Sequence, residues 1–203
     1  MTARGGVRWI GGGSGAGKST VALLLGERCG LPVVQTDLSL HEHAAVAAGA
    51  PAVDAFVAMS MDERWVLRDP EAMLRTFPWF AGDGFDLVLD RLPPERPLIA
   101  EGFRLLPRLV APLLTDGGSG VWLLPTPAMR ERAFAERAAQ GRAFWARTSD
   151  PERALVNVLE RDRLFTERVR QECADLGLVT IDVDGSEGVA ATADRVAAAL
   201  GLD

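Results

Sequence analysis

The stretch GGSGAGKS at residues 12–19 decides the fold that we expect for this chain. It matches the pattern G-x-x-x-x-G-K-[ST] at every fixed position. A short apolar run at residues 7–10 precedes it, and apolar residues at helical spacing follow it from Val21 to Cys29. The order strand, glycine loop, helix is the context in which this pattern binds nucleotide phosphates.

The residue types of this loop suit a phosphate site. Successive glycines let backbone N–H groups curl around phosphate oxygens, Lys18 neutralises the β and γ charges, and Ser19 offers a hydroxyl to Mg²⁺. The following helix directs its positive end at the anion. The alternative, a glycine turn that binds nothing, does not explain why the loop lies between a strand and a helix. The predicted nucleotide-binding residues are Gly12, Gly13, Ser14, Gly15, Ala16, Gly17, Lys18, Ser19 and Thr20.

Further short apolar runs predict a parallel sheet. They lie at residues 31–35, 97–100, 120–124 and 178–183, and helical patterns separate them. Strands that are apolar throughout fit a sheet with helices on both faces. The alternation predicts an α/β fold with a three-layer, doubly wound sheet of five parallel strands.

The length of 203 residues fits one domain over residues 1–203. Residues 51–92 are rich in aromatic residues and arginines and predict several short helices inserted between core strands, as an acceptor-site insertion. Residues 126–150 are the predicted lid region, and residues 38–49 are predicted to be helical. Asp69, Thr126 and Asp150 each precede a proline, which predicts a capped helix start at each place.

Acidic residues end two of the predicted strands. Asp37 follows the run at residues 31–35, and Glu101 follows the run at residues 97–100. Ligands gather at the carboxyl edge of an open α/β sheet, so both carboxylates are expected beside the phosphates. Asp37 is suited to accept a proton from an acceptor hydroxyl, and Glu101 to hold Mg²⁺ directly or through water. The same reasoning allows Asp37 to hold Mg²⁺ and Glu101 to accept the proton, and either acid could instead cap a helix.

Arginines supply two further sets of candidates. Arg137 and Arg142 flank Gly141, where the chain can hinge, and we predict that they form a lid pair that stabilises the transferring phosphoryl group. Guanidinium groups near the tryptophans of the insertion are candidates for gripping an anionic or polar acceptor. For any single arginine, a surface ion pair is the competing explanation. The acceptor candidates are Asp37, Arg64, Arg68, Arg75, Arg91 and Arg104.

The composition disfavours several classes of function. The net charge is −6, and the chain contains no run of Lys and Arg that would track a nucleic-acid backbone. No apolar stretch reaches the roughly 18 residues needed to span a bilayer, so we expect no membrane partner and a soluble, cytoplasmic protein. Cys29 and Cys173 are expected to be buried thiols, and His41 and His43 to be surface residues.

The motif set Lys18-Ser19, Asp37 and Glu101-Gly102 resembles the P-loop kinases of small metabolites, the superfamily that includes nucleoside monophosphate kinases, uridine kinase and pantothenate kinase. The resemblance is strongest in the uridine kinase branch, where an Asp follows the second strand and an apolar strand ends in Glu-Gly. It implies a sheet order of 2-3-1-4-5, Asp37 as base, Glu101 near Mg²⁺ and a lid after the fourth strand. It also implies adenine binding near residues 184–186. Residues 51–92 do not resemble an acceptor-site motif of these kinases, so the acceptor's identity does not carry over.

We therefore expect an ATP- and Mg²⁺-dependent kinase, with GTP as the alternative nucleotide, that phosphorylates a hydroxyl or phosphate group of a small metabolite. It is expected to act as a monomer or homodimer. One alternative is a nucleotide-binding regulatory module with incidental ATPase activity, which would hydrolyse ATP without an acceptor. Another is a kinase of nucleic-acid ends, which would need a basic groove.

Overall fold

The computed structural model describes residues 6–46, 50–93, 96–114 and 119–202. Within them lies a five-stranded sheet in which every neighbouring pair is parallel. Its order, β2-β3-β1-β4-β5, confirms the predicted sheet and its 2-3-1-4-5 order. The strands are β1 Val7–Gly12, β2 Val33–Gln35, β3 Leu98–Glu101, β4 Ser119–Pro125 and β5 Val179–Val183.

Helices connect the strands and cover the sheet. The α-helices are α1 Lys18–Cys29, α2 Leu40–Val46, α3 Pro51–Ala58, α4 Met61–Trp65, α5 Pro70–Thr76, α6 Pro78–Ala81, α7 Phe85–Asp90, α8 Pro107–Val110, α9 Pro127–Ala139, α10 Pro151–Leu176 and α11 Val189–Leu200. Short 3-10 turns occupy Thr36–Ser39, Ala111–Leu113 and Phe144–Arg147. The helix predicted at residues 38–49 is therefore a 3-10 turn followed by α2, and its last three residues lie outside the described ranges.

The three predicted helix starts are present. The Asp69 side chain accepts a hydrogen bond from the backbone N–H of residue 72 at 2.6 Å, and Asp150 does the same for residue 153 at 3.0 Å. Thr126 accepts from residue 129 at 3.3 Å. In each helix a proline occupies the first turn, where its missing N–H leaves no hydrogen bond unmade.

Two apolar clusters cover the two faces of the sheet. Along β1, Trp9 packs with the helices of the insertion and α10, whereas its neighbour Ile10 packs with α1 and α11. Successive side chains of a strand point to opposite faces, so adjacent residues enter different clusters. Burial on both faces explains why the strands are apolar at consecutive positions.

Two expectations about single residues are wrong. Cys29 is exposed, although Cys173 is buried as predicted, and burial raises the pKa of the Cys173 thiol to about 12. His43, expected on the surface, is only 3% exposed, and its Nδ1 lies 2.8 Å from Nη1 of Arg104. No helix in the described ranges is both long enough and apolar enough to cross a bilayer.

Candidate functional site

The glycine loop connects the end of β1 to the start of α1 and packs tightly against α10. A Cβ at Gly13 would lie 2.5 Å from Oγ1 of Thr166, so only glycine allows this approach. The backbone N–H of Gly13 donates to the carbonyl of Leu123 at 3.0 Å, which ties the loop to β4. Lys18 folds back over the loop and donates from Nζ to the carbonyl of Gly13 at 2.8 Å. Burial lowers the pKa of its ammonium group, and the nearby acids Asp37 and Glu101 oppose that shift.

Ser19 and Glu101 meet at the carboxyl edge of the sheet. The Ser19 hydroxyl donates to Oε1 of Glu101 at 2.9 Å, and Nε2 of Gln35 donates to the same oxygen at 3.2 Å. Glu101 is only 1% exposed, because it ends β3, which lies between β2 and β1 in the sheet. Its second oxygen, Oε2, is buried without a hydrogen-bond partner among the described residues.

These groups fit a hard divalent cation. A hydroxyl and a carboxylate with an unpartnered buried oxygen are the oxygen ligands that Mg²⁺ prefers. Among the described residues, no group of three or more His, Cys, Asp and Glu side chains could hold a metal ion. Mg²⁺ is commonly bound through one or two carboxylates together with substrate phosphates, so the pair Ser19 and Glu101 is sufficient on the protein's side.

Asp37 lies in the 3-10 turn after β2, next to this pair. Its Oδ2 accepts from the backbone N–H of Phe103 at 3.2 Å. Burial is the main cause that raises the pKa of Asp37 to about 6, Lys18 opposes the shift, and Glu101 adds to it. Gly102 makes this placement possible, since a Cβ there would lie 2.7 Å from Oδ1 of Asp37 and 2.1 Å from Oγ1 of Thr36. The residue that follows Glu101 at the end of β3 must therefore be glycine for steric reasons.

A cavity of about 440 Å³, here called the loop cavity, opens above these residues. Asp37 lines it together with Arg137 and Arg142. From the loop and the start of α1 it is lined by Ser14, Gly15, Ala16, Gly17, Lys18, Ser19, Thr20 and Val21. Gly12 and Gly13 shape the loop from β1 without lining the cavity. Residues of α9, the end of β5, the segment that follows it and the start of α11 close the other side, namely Met129, Ala133, Glu136, Val183, Gly185, Glu187, Val189 and Thr192.

The two predicted lid arginines lie on either side of Gly141. The N–H of Arg142 donates to the carbonyl of Arg137 at 2.8 Å, which closes the turn after α9. The guanidinium of Arg137 lies 4.8 Å from the ring centre of Phe134, whereas that of Arg142 bonds the side chain of Gln140. Both arginines line the loop cavity, so the structure brings them together with Lys18 and Asp37.

A second cavity of about 570 Å³, here called the aromatic cavity, adjoins the first. Ser14 and Arg137 line both cavities. Its aromatic residues are Phe56, Trp65, Phe77, Trp79, Phe80, Phe103, Phe134 and Phe144, and its charged residues are Arg64, Arg137, Arg147, Arg161 and Asp162. The insertion, α9, α10 and the 3-10 turn at Phe144–Arg147 all contribute to it.

The acceptor candidates separate into two groups in the structure. Arg64 lines the aromatic cavity, and its Nε and Nη2 donate to the carbonyls of residues 56 and 57 at 3.1 and 2.6 Å. The other arginines do not line either cavity. Arg68 donates to Oγ1 of Thr76, Arg75 is exposed on α5, Arg91 pairs with Glu42, and buried Arg104 donates to the carbonyl of Gly84 at 2.7 Å.

Sequence reasoning did not assign Arg161 and Asp162 to the site. Both are buried on α10, at 6% and 1% exposure, and Nε and Nη2 of Arg161 donate to Oδ1 of Asp162 at 2.8 and 2.6 Å. A signal was available: Asp162 interrupts the apolar stripe of Val158, Phe165 and Val169 on one helix face. A charged pair within a buried stripe indicates a polar contact inside the fold.

Among the comparisons with known proteins, the one with solved structures supports this fold. No protein-family model matches the sequence, and no curated protein matches it. Among solved structures, a gluconokinase from Sinorhizobium meliloti is similar, with 17% identity, 98% of this chain and 94% of that chain covered, and a TM-score of 0.54. An uncharacterised protein from Eubacterium ventriosum has 14% identity, coverage of 97% and 98%, and a TM-score of 0.52.

The YorR protein of Bacillus subtilis, solved in complex with phosphorylated GDP, has 14% identity, coverage of 97% and 96%, and a TM-score of 0.50. At such low sequence identities, structural similarity is evidence for the fold alone. Together with the sheet order and the glycine loop, it shows that this chain has the fold of the P-loop small-molecule kinases.

Proposed function

We propose that this protein is an ATP- and Mg²⁺-dependent kinase that transfers a phosphoryl group to a hydroxyl of a small molecule. One observation carries the proposal: Lys18, Ser19, Asp37 and Glu101 converge at the carboxyl edge of the sheet, beside a second cavity that shares Ser14 and Arg137 with the first. Phosphoryl transfer requires a phosphate site and, in contact with it, a separate space large enough for an acceptor. A module that only binds a nucleotide has no use for the second cavity.

The loop cavity would hold ATP. Backbone N–H groups of the loop and the Lys18 ammonium would bind its phosphates, and the segment around Gly185 would border the adenine. Ser19 and Glu101 would hold Mg²⁺, which neutralises charge on the β and γ phosphates. GTP remains the alternative nucleotide.

Asp37 would act on the acceptor. Its carboxylate takes the proton from the acceptor hydroxyl as the oxygen forms its bond to the γ-phosphorus, and the bond to the bridging oxygen of ADP breaks. A pKa of about 6 keeps Asp37 ionised at neutral pH while leaving it basic enough to accept a proton. Arg137, which lines both cavities, would stabilise the transferring group, with Arg142 as its lid partner.

The aromatic cavity would be the acceptor site. It borders the phosphate loop at Ser14, and Phe103, whose N–H holds Asp37, lies in its wall. We treat residues 51–92 as the acceptor insertion and residues 126–150 as the lid of one kinase domain, acting in the cytoplasm as a monomer or homodimer.

A coupled assay of ADP or GDP release tests the proposal. It uses Mg²⁺ with ATP or GTP and a panel of nucleosides, sugars, cofactor precursors and hydroxylated antibiotics. Turnover that depends on an acceptor supports a kinase. Nucleotide hydrolysis that no acceptor changes would refute the proposal in favour of a regulatory module.

A further inference from the structure

The wall of the aromatic cavity is built from rings that hold one another in place. Phe77 packs edge-on against Phe56, Trp79 and Phe80, with ring centres 5.1, 5.0 and 4.7 Å apart. Edge-to-face contacts of this kind fix ring orientation and add stability beyond the buried area. Phe80 in turn stacks on Phe165 of α10 at 3.8 Å, which anchors the wall to the core. The cavity therefore presents preformed ring surfaces.

One charged pair interrupts this apolar surface. The Arg161 guanidinium lies 5.0 to 5.2 Å from the ring centres of Trp65, Phe77 and Phe80 and is bonded to Asp162. Nη1 of Arg161 and Oδ2 of Asp162 are buried and have no hydrogen-bond partner among the described residues. A buried donor and a buried acceptor without partners each cost free energy unless a ligand group or a water satisfies them.

The geometry points to an acceptor that carries a planar, largely apolar ring together with its reacting hydroxyl. This inference rests on the proposed kinase function and names the substrate class of the same site. The ring packs against the aromatic wall, one polar ring substituent faces the pair Arg161 and Asp162, and the hydroxyl lies toward Ser14, Arg137 and Asp37. The volume of about 570 Å³ lies within the range of roughly 300–1,000 Å³ typical of small-molecule sites.

The same wall disfavours a polyol. Each sugar hydroxyl placed against a ring face loses its hydrogen bonds to water and is left unsatisfied. Two such groups would lower kcat/KM by about 30-fold or more relative to a ring alcohol.

Charge disfavours a second class of acceptor. Four arginines line the cavity against one aspartate, so an acceptor with a protonated amine would meet net positive charge. Neutral and anionic ring alcohols are the compounds that fit both the wall and its charge.

The test measures turnover and binding separately. ADP release is measured with 2-phenylethanol and chloramphenicol as ring alcohols, with gluconate and glucose as polyols, and with glucosamine as a cation. Binding of each compound is measured by calorimetry and by quenching of tryptophan fluorescence, since Trp65 and Trp79 line the cavity.

A matched pair of variants locates the binding site. Ala45→Phe adds a ring at the rim of the aromatic cavity, whereas Val46→Phe changes the neighbouring exposed position of α2, which does not line it. We expect Ala45→Phe to lower kcat/KM for ring alcohols at least tenfold and to leave ATP affinity unchanged. Val46→Phe should match the wild type in both.

The outcomes separate the substrate class from the kinase function. If ring alcohols are turned over and Ala45→Phe suppresses this turnover, the result supports both the kinase function and the ring-alcohol class. Turnover of gluconate, glucose or glucosamine at a kcat/KM equal to or above that of every ring alcohol keeps the kinase and overturns the ring-alcohol class. Binding of a ring compound that Ala45→Phe blocks, without turnover of any acceptor, supports the ring site and refutes the kinase. Failure of every ring compound both to bind and to react overturns the inference.

Discussion

Replacing Asp37 with Asn is expected to stabilise the folded protein at neutral pH while it abolishes phosphoryl transfer. Burial raises the pKa of Asp37 from 3.8 to about 6, so the folded state opposes ionisation of this side chain. Asn has nearly the same shape and can still accept the hydrogen bond from the N–H of Phe103. It carries no charge and cannot accept a proton from an acceptor hydroxyl.

The magnitude follows from the two pKa values. Between pH 3.8 and about 6 the folded state binds more protons at Asp37 than the unfolded state, so its contribution to the free energy of unfolding falls as the pH rises through this window. Above pH 6 the ionised side chain costs at most about 3 kcal/mol, and at pH 5 about half of that, because Asp37 lines the loop cavity and is partly exposed. Asp37→Asn removes this cost, so its gain in stability is largest above pH 6 and vanishes below pH 3.8.

Denaturant unfolding of both proteins at pH 5.0 and 7.5 measures this difference. Each kcal/mol also shifts the melting temperature of a chain of this size by about 2–4 °C. Asp86→Asn, which removes an exposed carboxylate on α7, controls for the loss of one negative charge. A gain in stability that is the same at both pH values, or a loss at pH 7.5, would refute the electrostatic reasoning. A kcat within tenfold of wild type would remove Asp37 from the mechanism.

Four further substitutions test other parts of the site. Lys18→Ala removes the ammonium beside the loop and should weaken ATP binding, measured by calorimetry, as well as kcat. Gly102→Ala introduces a Cβ 2.7 Å from the Asp37 carboxylate and should cost about 1–3 kcal/mol in denaturant unfolding; unchanged stability and activity would contradict the steric role. Arg137→Ala should lower kcat about 10²-fold or more, and Arg142→Ala less, because only Arg137 lines both cavities. An equal loss in both variants would count against that distinction.

The sheet and the glycine loop were predictable because local patterns specify them. Apolar runs ending in Asp37 and Glu101 place two carboxylates at one sheet edge by topology alone, since parallel strands end on the same side. The helix starts were equally predictable from the sequence, because the cap at Asp69 depends on residues only three positions apart.

The aromatic cavity was much less predictable, because distant segments form its wall. Arg64 was identified as a candidate from its tryptophan neighbours, but the same reasoning selected Arg68, which lies between α4 and α5, and Arg75 on α5, and neither of them lines the cavity. Arg161 lies almost a hundred residues further along the chain. Its contact with Trp65 depends on how α10 packs against the insertion, and no local pattern encodes that packing.

The 26-residue helix α10 has a consequence for how the two substrates would influence each other. It carries Arg161 at the aromatic cavity and, little more than one turn later, Thr166 against the glycine loop at Gly13. A tilt of this helix would move both walls at once, because a packed α-helix is stiff over so short a distance. Any such tilt couples the two affinities, and thermodynamic reciprocity then requires each ligand to change the other's dissociation constant by the same factor.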